Sequence, residues 1–241
     1  MPKFFVDDAI ENEVVLTGET ASHIARSLRM KVGEEVVLCD GKGTDYGCII
    51  EKITKSEVHL SVAFKTPSET ESEIKISVYQ GLPKGDKMAE VVKKCTEIGA
   101  HDFHPVIMKR SIMKVDEKSA ERKLQRLRKI AAEAASQSRR GIIPEVFPFE
   151  NYEKALENCE CERIILFYEK GGEKLNTVLK AFKEENVKSI AVIIGAEGGI
   201  DESELALAEE KGAHVASLGK RILRTQTAPV CAVSNILYEL E

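Results

Sequence analysis

From Ile74 onward, short apolar runs of strand length alternate with segments of helical periodicity, and this alternation restricts the chain to α/β architectures with a mainly parallel sheet. Ile74–Gln80, Phe103–Met108, Arg163–Tyr168, Ile190–Ile194 and His214–Leu218 read as strands buried on both faces. Between them Met88, Val91, Val92, Cys95 and Ile98 recur at helical spacing, and so do Leu124, Leu127, Ile130, Ala131 and Ala134. Asp201 with Glu204 three residues on predicts a capping-box start to a helix that Gly212 ends. Thr227 followed by Pro229 opens a last helix over Val230–Leu240.

The first 65 residues have a different texture. FFV, VVL, EEVVLCD, YGCIIEKIT and EVHLSVAFK are short β-rich runs, with turn chemistry at Asp40-Gly41, and together they predict a small β-barrel. One helical candidate, Ser22–Leu28, interrupts it, and Arg26, Arg29 and Lys31 place positive charge beside the Gly33 turn. TPSETESE (Thr66–Glu73) reads as the domain linker, so the expected organisation is a barrel over 1–70 and an α/β domain over 71–241.

Composition narrows the function classes. The chain's 241 residues, 43% hydrophobic, supply a sizeable core. Its 35 Lys+Arg against 40 Asp+Glu exclude a polycation, so any nucleic-acid surface is local. Residues 83–140 hold 15 basic and 8 acidic side chains, and this is the one block of net positive charge. Within it Arg122, Arg126 and Lys129 fall on one side of a helix that ends in Arg139-Arg140. The apolar run Ile190–Ala196 is far short of the roughly 20 residues of a membrane span. At the N-terminus, acids follow a short apolar patch, unlike a secretory signal, and the six cysteines read as reduced thiols, so the cytosol is the expected compartment.

Two motifs carry chemistry. IAVIIGAEGGIDESE runs from a buried strand through a glycine turn into a capped helix, and HVASLGKRILRTQTAPV leaves the next strand through a second glycine turn. Two such strand ends form a crevice at the carboxyl edge of a parallel sheet, where open α/β folds bind ligands. Leu218, Ile222 and Leu223 suit a flat base, and the turns offer backbone groups to its edges. Neither GxGxxG nor GKS/GKT is present, which disfavours a dinucleotide or triphosphate ligand.

These motifs, together with HIARSLRMKVGEEVVLCDGKG, LPKGDKMAEVVKKCTEIGAHDFHPVIMKRS and EAASQSRRGIIPE, occur in the order and spacing of one family, and the whole chain resembles the RsmE-type ribosomal RNA methyltransferases of the SPOUT superfamily. It departs from the family pattern at Ala196, where proline is common, and at Gln226, where glutamate is common. The resemblance implies a PUA-like β-barrel followed by a SPOUT domain with a C-terminal trefoil knot. It also implies a homodimer, S-adenosylmethionine bound in the knot, and methylation at N3 of a uridine in the decoding region of 16S ribosomal RNA, free or in the small subunit. Pairing is expected near the cofactor sites, with Val230, Val233 and Leu237 of the last helix contributing; the alternative is that this helix covers its own sheet.

With that cofactor, the expected binding residues are Tyr168, Ile194, Gly195, Glu197, Gly198 and Gly199 in the first half of the site. Leu218, Gly219, Ile222, Leu223, Arg224, Thr227 and Ala228 follow in the second. Expected RNA contacts are Arg26, Arg29, Lys31, Lys84, Arg110, Gln137, Arg139 and Arg140. The donor carries an activated methyl, so the protein's work is positioning and stabilising the uracil anion, for which Arg224 and Arg110 are the candidate cations. Glu197, the carboxylate nearest the crevice, is a candidate base, with a structural role ranked first.

His101-x-x-His104 and Cys159-x-Cys161 lack a second half with metal-ligand spacing, so no metal is expected. Tyr79, Phe103 and Tyr168 are stacking candidates, but aromatics at 5% are mostly needed for the core. Two other classes stay open at this point. A non-catalytic RNA-binding assembly protein would fail to bind S-adenosylmethionine, and a dinucleotide oxidoreductase would bind NAD instead.

Overall fold

The computed structural model describes residues 1–6, 9–111 and 117–241, without the side chains of 117 and 118; Asp7 and Asp8, the acids behind the first apolar run, lie outside that set. Contacts divide the chain into Met1–Glu71 with Ala135–Ile143, and Ser72–Ala134 with Pro144–Glu241. The linear boundary at 70/71 therefore leaves out one segment, 135–143, which belongs with the first unit. Backbone bonds attach it, Gly43 N–H donating to the Gly141 carbonyl at 2.9 Å and Ile143 N–H to the Gly41 carbonyl at 3.2 Å, and a carboxylate adds to them. The Glu71 carboxylate accepts hydrogen bonds from Arg140 Nη2 at 2.6 Å, Gly141 N at 2.7 Å and Ile142 N at 3.2 Å. The expected linker is thus partly fixed, and strand pairing extends into it as far as Pro67.

The first unit contains β1 (Lys3–Phe5), β2 (Glu13–Leu16), α1 (Gly18–Ser22), β3 (Glu35–Cys39), β4 (Thr44–Ile53) and β5 (Val58–Pro67). The strands form a sheet in the order β1-β3-β4-β5-β2 around Ile24, Val36, Leu38, Ile50, Val58 and Leu60. Helix starts earlier than Ser22: Thr17 takes the N-cap position with extended backbone, and a π-helical turn over His23–Ser27 continues α1. Arg29, at φ 53°, follows that turn.

The second unit begins with β6 (Lys75–Gly81), α2 (Lys87–Glu97), β7 (Asp102–Ile107) and α3 (Glu117–Gln137), whose last residues, 135–137, count with the first unit. Short β8 (Glu145–Val146), β9 (Glu150–Asn151) and α4 (Tyr152–Glu157) lead to β10 (Arg163–Phe167), β11 (Glu173–Lys174) and α5 (Leu175–Glu184). β12 (Ser189–Ile194), α6 (Glu202–Glu210), β13 (His214–Ser217) and α7 (Ala228–Leu240) complete it. The sheet runs β11-β13-β10-β12-β6-β7-β8, with β9 also paired to β7, and every pairing is parallel.

Both faces are covered, which explains the continuous apolar strands. Ile190, Val192 and Ile194 of β12 join the core beneath α2, α3, α5 and α7, while Ala191 and Ile193 join the core containing residues of α4 and α6. Each fully buried aliphatic side chain of this kind contributes roughly 1.5–3 kcal/mol relative to exposure. The capping box at Asp201 and Glu204 is formed, and Gly212 at φ +81° follows the end of α6. Val233 and Leu237 lie in the core of their own unit, with Val230 packed against it, so these side chains serve the sheet; Tyr238, 89% exposed, is the apolar residue α7 leaves outside.

Candidate functional site

Because the sheet is parallel, the carboxyl ends of β13, β10, β12 and β6 stand side by side. The loops leaving the first three enclose a cavity of about 560 Å3. The two glycine turns are separated by one strand, β10, whose continuation supplies Phe167, Tyr168 and Glu169 to the wall.

The turn after β12 is closely packed. Gly199 N–H bonds the Ala196 carbonyl at 3.0 Å, so alanine in place of the family's proline still closes the turn. Gly198 lies against the Arg110 backbone: an added Cβ would stand 2.8 Å from the Arg110 oxygen. Gly199, at φ +73°, occupies the left-handed region that glycine tolerates best. Glu197 turns away toward α2, where Lys87 Nζ donates to it at 2.6 Å and Lys84 N–H at 3.1 Å. Partial burial would raise its carboxyl, but these donors outweigh burial and hold it below the usual carboxylate value.

A polar bridge joins the walls. Thr225 Oγ1 donates to the Gly195 carbonyl at 2.7 Å and accepts from Gln80 Nε2 at 2.9 Å. Gln80 is wholly buried and is the penultimate residue of β6. A glutamine immediately before Gly81 is the available sequence signal for this bridge. Gln226 lines the cavity, and its Oε1 is buried without a hydrogen-bond partner.

Ile194, Gly195, Glu197, Gly198, Gly199, Leu218, Gly219, Ile222, Leu223, Arg224 and Ala228 all line the cavity, as does Tyr168. Thr227 does not: it holds the N-cap position of α7, its N–H bonded to the Arg224 carbonyl at 2.7 Å. Arg224 is exposed at the wall. Arg110 Nη2 is paired with Asp201 Oδ2 at 3.3 Å. Lys87, Glu169 and Thr225 are lining residues that the sequence reading did not include.

The basic residues separate by environment. Arg26, Arg29, Lys31, Gln137 and Arg139 in the first unit are exposed, as is Lys84 in the second. Arg140 is corrected from a surface contact to a structural residue, since it is 4% exposed and bound to Glu71. In the long helix Arg126 pairs with Asp86 at 2.7 Å and Lys129 with Glu133 at 3.8 Å, which leaves that face less positive than its sequence.

The chain matches the family model described as an RNA methyltransferase domain over residues 70–237, and that described as an RNA methyltransferase PUA domain over residues 16–63. The Ribosomal RNA small subunit methyltransferase E of Bacillus subtilis is 34% identical over 94% of this chain and 90% of its own length. The Synechocystis protein of the same name is 31% identical over 98% of this chain and 76% of its own. Among solved structures, a Ribosomal RNA small subunit methyltransferase E from Neisseria gonorrhoeae bound to S-adenosyl methionine superposes with a TM-score of 0.86 at 29% identity, covering 98% of this chain and 96% of that one.

Proposed function

The chain belongs to the RNA methyltransferase family, and from that membership we propose that it transfers a methyl group from S-adenosylmethionine to N3 of a uridine in the decoding region of 16S ribosomal RNA. The observation that carries this reading is the cavity of about 560 Å3 built from two glycine turns at parallel strand ends on either side of β10. Its residues fit the cofactor: Ile194, Leu218, Ile222 and Leu223 offer apolar contact to a flat base, and the orphaned Gln226 Oε1 is an acceptor in want of a donor.

Bound S-adenosylmethionine supplies a methyl group already activated on a sulfonium. The chain's own residues then have to orient the acceptor and stabilise charge. Arg224, exposed at the cavity wall, is assigned to the negative charge that develops on uracil as N3 loses its proton. Arg110 ranks second because Asp201 already shares its charge. Glu197 is assigned to holding Lys87 and the Lys84 backbone; a carboxyl kept below its usual value is a weak base at neutral pH.

N3 lies on the Watson–Crick edge, so the uridine is engaged unpaired. The first domain, over 1–70, is assigned to RNA binding through Arg26, Arg29 and Lys31, with Gln137, Arg139 and Lys84 as further contacts; the domain over 71–241 is assigned to catalysis. The return of the chain from β13 to α7, which packs on β6 and β12, supports a trefoil knot. Tyr238 and Ile222, 89% and 84% exposed, support a homodimer formed near the cofactor site. No described helix is long and apolar enough to cross a membrane, and a ribosomal substrate, free or assembled, makes the cytoplasm the working compartment.

The test is calorimetric titration with S-adenosylmethionine and NAD, followed by methylation of 16S RNA and of small subunits with mass mapping of the product. Saturable binding of the first ligand and one N3-methylated uridine are expected. Absence of S-adenosylmethionine binding overturns the reading, and methylation at another atom overturns the assigned position.

A further inference from the structure

Cys159 and Cys161 lie in the connection between α4 and β10, at the end of β10 opposite the cofactor cavity, and the proposed methyl transfer uses neither. We propose that these two thiols form an oxidisable pair, a modification site at which a peroxide converts them to a disulfide. Both are half-buried, and both line an open cleft of about 590 Å3 together with Arg163, Lys211 and His214, so a small oxidant reaches them.

The surroundings prepare one sulfur as nucleophile. Cys159 and Cys161, two residues apart in sequence, both pack against the buried cluster that contains Tyr79 of β6. His104 and Asp102 of β7 face the same cluster, with His104 Nε2 3.2 Å from Asp102 Oδ1 and the imidazole stacked 4.1 Å from Tyr79 and 4.3 Å from Phe147. The neighbouring Cys161 thiol pulls Cys159 below the ordinary thiol value, against burial and with help from Tyr79 and His104. The same proximity, with burial, pushes Cys161 upward. The two sulfurs are thus inequivalent, with Cys159 favoured as the thiolate and Cys161 as the thiol. Burial acts the other way on the remaining interior thiols, raising Cys39 to about 11 and Cys95 to about 12 and also raising Cys48. Among the described residues no group of three or more His, Cys, Asp or Glu has metal-holding geometry, so covalent chemistry fits the pair better than chelation.

The chemistry balances in two steps. The Cys159 thiolate attacks a peroxide oxygen; the O–O bond breaks, sulfur loses two electrons to become a sulfenic acid, and hydroxide leaves to take a proton from solvent. The Cys161 sulfur then attacks the sulfenic sulfur, the S–S bond forms, the S–O bond breaks, and water leaves with the Cys161 proton.

Treatment of the full chain with dilute hydrogen peroxide at pH 7, followed by tryptic mapping, tests the site, because both cysteines fall in one peptide after Lys154. That peptide is expected to lose two hydrogens while Cys39, Cys48 and Cys95 stay reduced. Cys161→Ser should stop at a sulfenic acid trapped by dimedone at Cys159, and Cys159→Ser should give neither product. In the unmodified parent, iodoacetamide should label Cys159 about tenfold faster than Cys231 at neutral pH, as expected for a thiol held below its ordinary value. A peptide that keeps both thiols under peroxide, or equal labelling of Cys159 and Cys231, overturns the proposal. Titration of the same reduced sample with S-adenosylmethionine reads the methyltransferase assignment separately.

Discussion

The turn after β12 and the segment after β13 face the same cavity and are built in opposite ways. In Gly195–Ile200 the backbone is enclosed: Ile200 is wholly buried, Gly198 rests on Arg110, and the Glu197 carboxylate is engaged by Lys87. In Leu218–Thr227 Ile222 is 84% exposed, Arg221 and Arg224 are exposed, and an added Cβ at Gly219 would meet nothing within 4 Å. One wall is set by contacts within the protein, whereas the other presents side chains to whatever enters. The contrast implies that changes in the first wall act through stability and cofactor binding together, and changes in the second act on ligand and rate with the fold intact.

The sharpest attempt to break that contrast is Gly81→Val, because a Cβ there would stand 2.6 Å from the Ala196 backbone nitrogen. Overpacking against main chain costs about 1–3 kcal/mol or more. Chemical denaturation should show that loss, with S-adenosylmethionine binding abolished in the folded fraction. A variant with parent stability and affinity would mean that the β12 turn is not a fixed wall.

Arg224→Ala should lower the methylation rate about 100-fold or more at saturating donor and RNA, the scale of losing one charge-stabilising donor. Its melting temperature should stay near parent, because the side chain is exposed. A parent rate would move the catalytic assignment to Arg110.

Thr225→Val tests the bridge between the walls. Removing the hydroxyl takes one acceptor from buried Gln80 Nε2, which keeps the Gly81 carbonyl at 2.8 Å, and leaves the Gly195 carbonyl only the longer bond from Gln80 at 3.4 Å, at a cost of about 1–3 kcal/mol. Thr225→Ser should restore most of this in thermal melts, since the hydroxyl rather than the methyl makes both bonds.

Glu197→Gln is expected to have the smallest effect, below about 1 kcal/mol at neutral pH, as for other solvent-exposed ion pairs. The Glu197 carboxyl lies below its unfolded value in the folded protein, so its contribution is present above the unfolded pKa and disappears as pH falls through the folded one. Parent and variant melting curves should therefore converge in acid. A difference that persists there would assign the effect to lost packing.

Much of the second unit was legible because its strands are buried on both faces, so apolar runs such as IAVII mark them without ambiguity. α5 carries a local signal as well, with Val178, Leu179 and Phe182 at helical spacing. α4, six residues long, is too short to show a period. In the site, glycine turns and the residues between them could be read locally. Gln80 stands out locally as a polar residue before Gly81, but its partner and that of Lys87 could not be read, because each lies more than a hundred residues away in the chain.

The amino-acid sequence by itself determined the parallel α/β class, the two glycine turns at the carboxyl edge and the capping box of α6, since each depends on residues within a few positions of one another. Only the tertiary structure decided that β10 separates the two turns, that Glu197 belongs to Lys87, and that Arg140 is buried against Glu71 and so lost to solvent. Neighbouring Arg139 and Arg140 are the same residue type in the same basic run, yet one is exposed and the other is 4% exposed. Charge is a property of the residue, but whether it is spent inside the fold depends on a carboxylate that folding brings from Glu71, and no local pattern encodes that encounter.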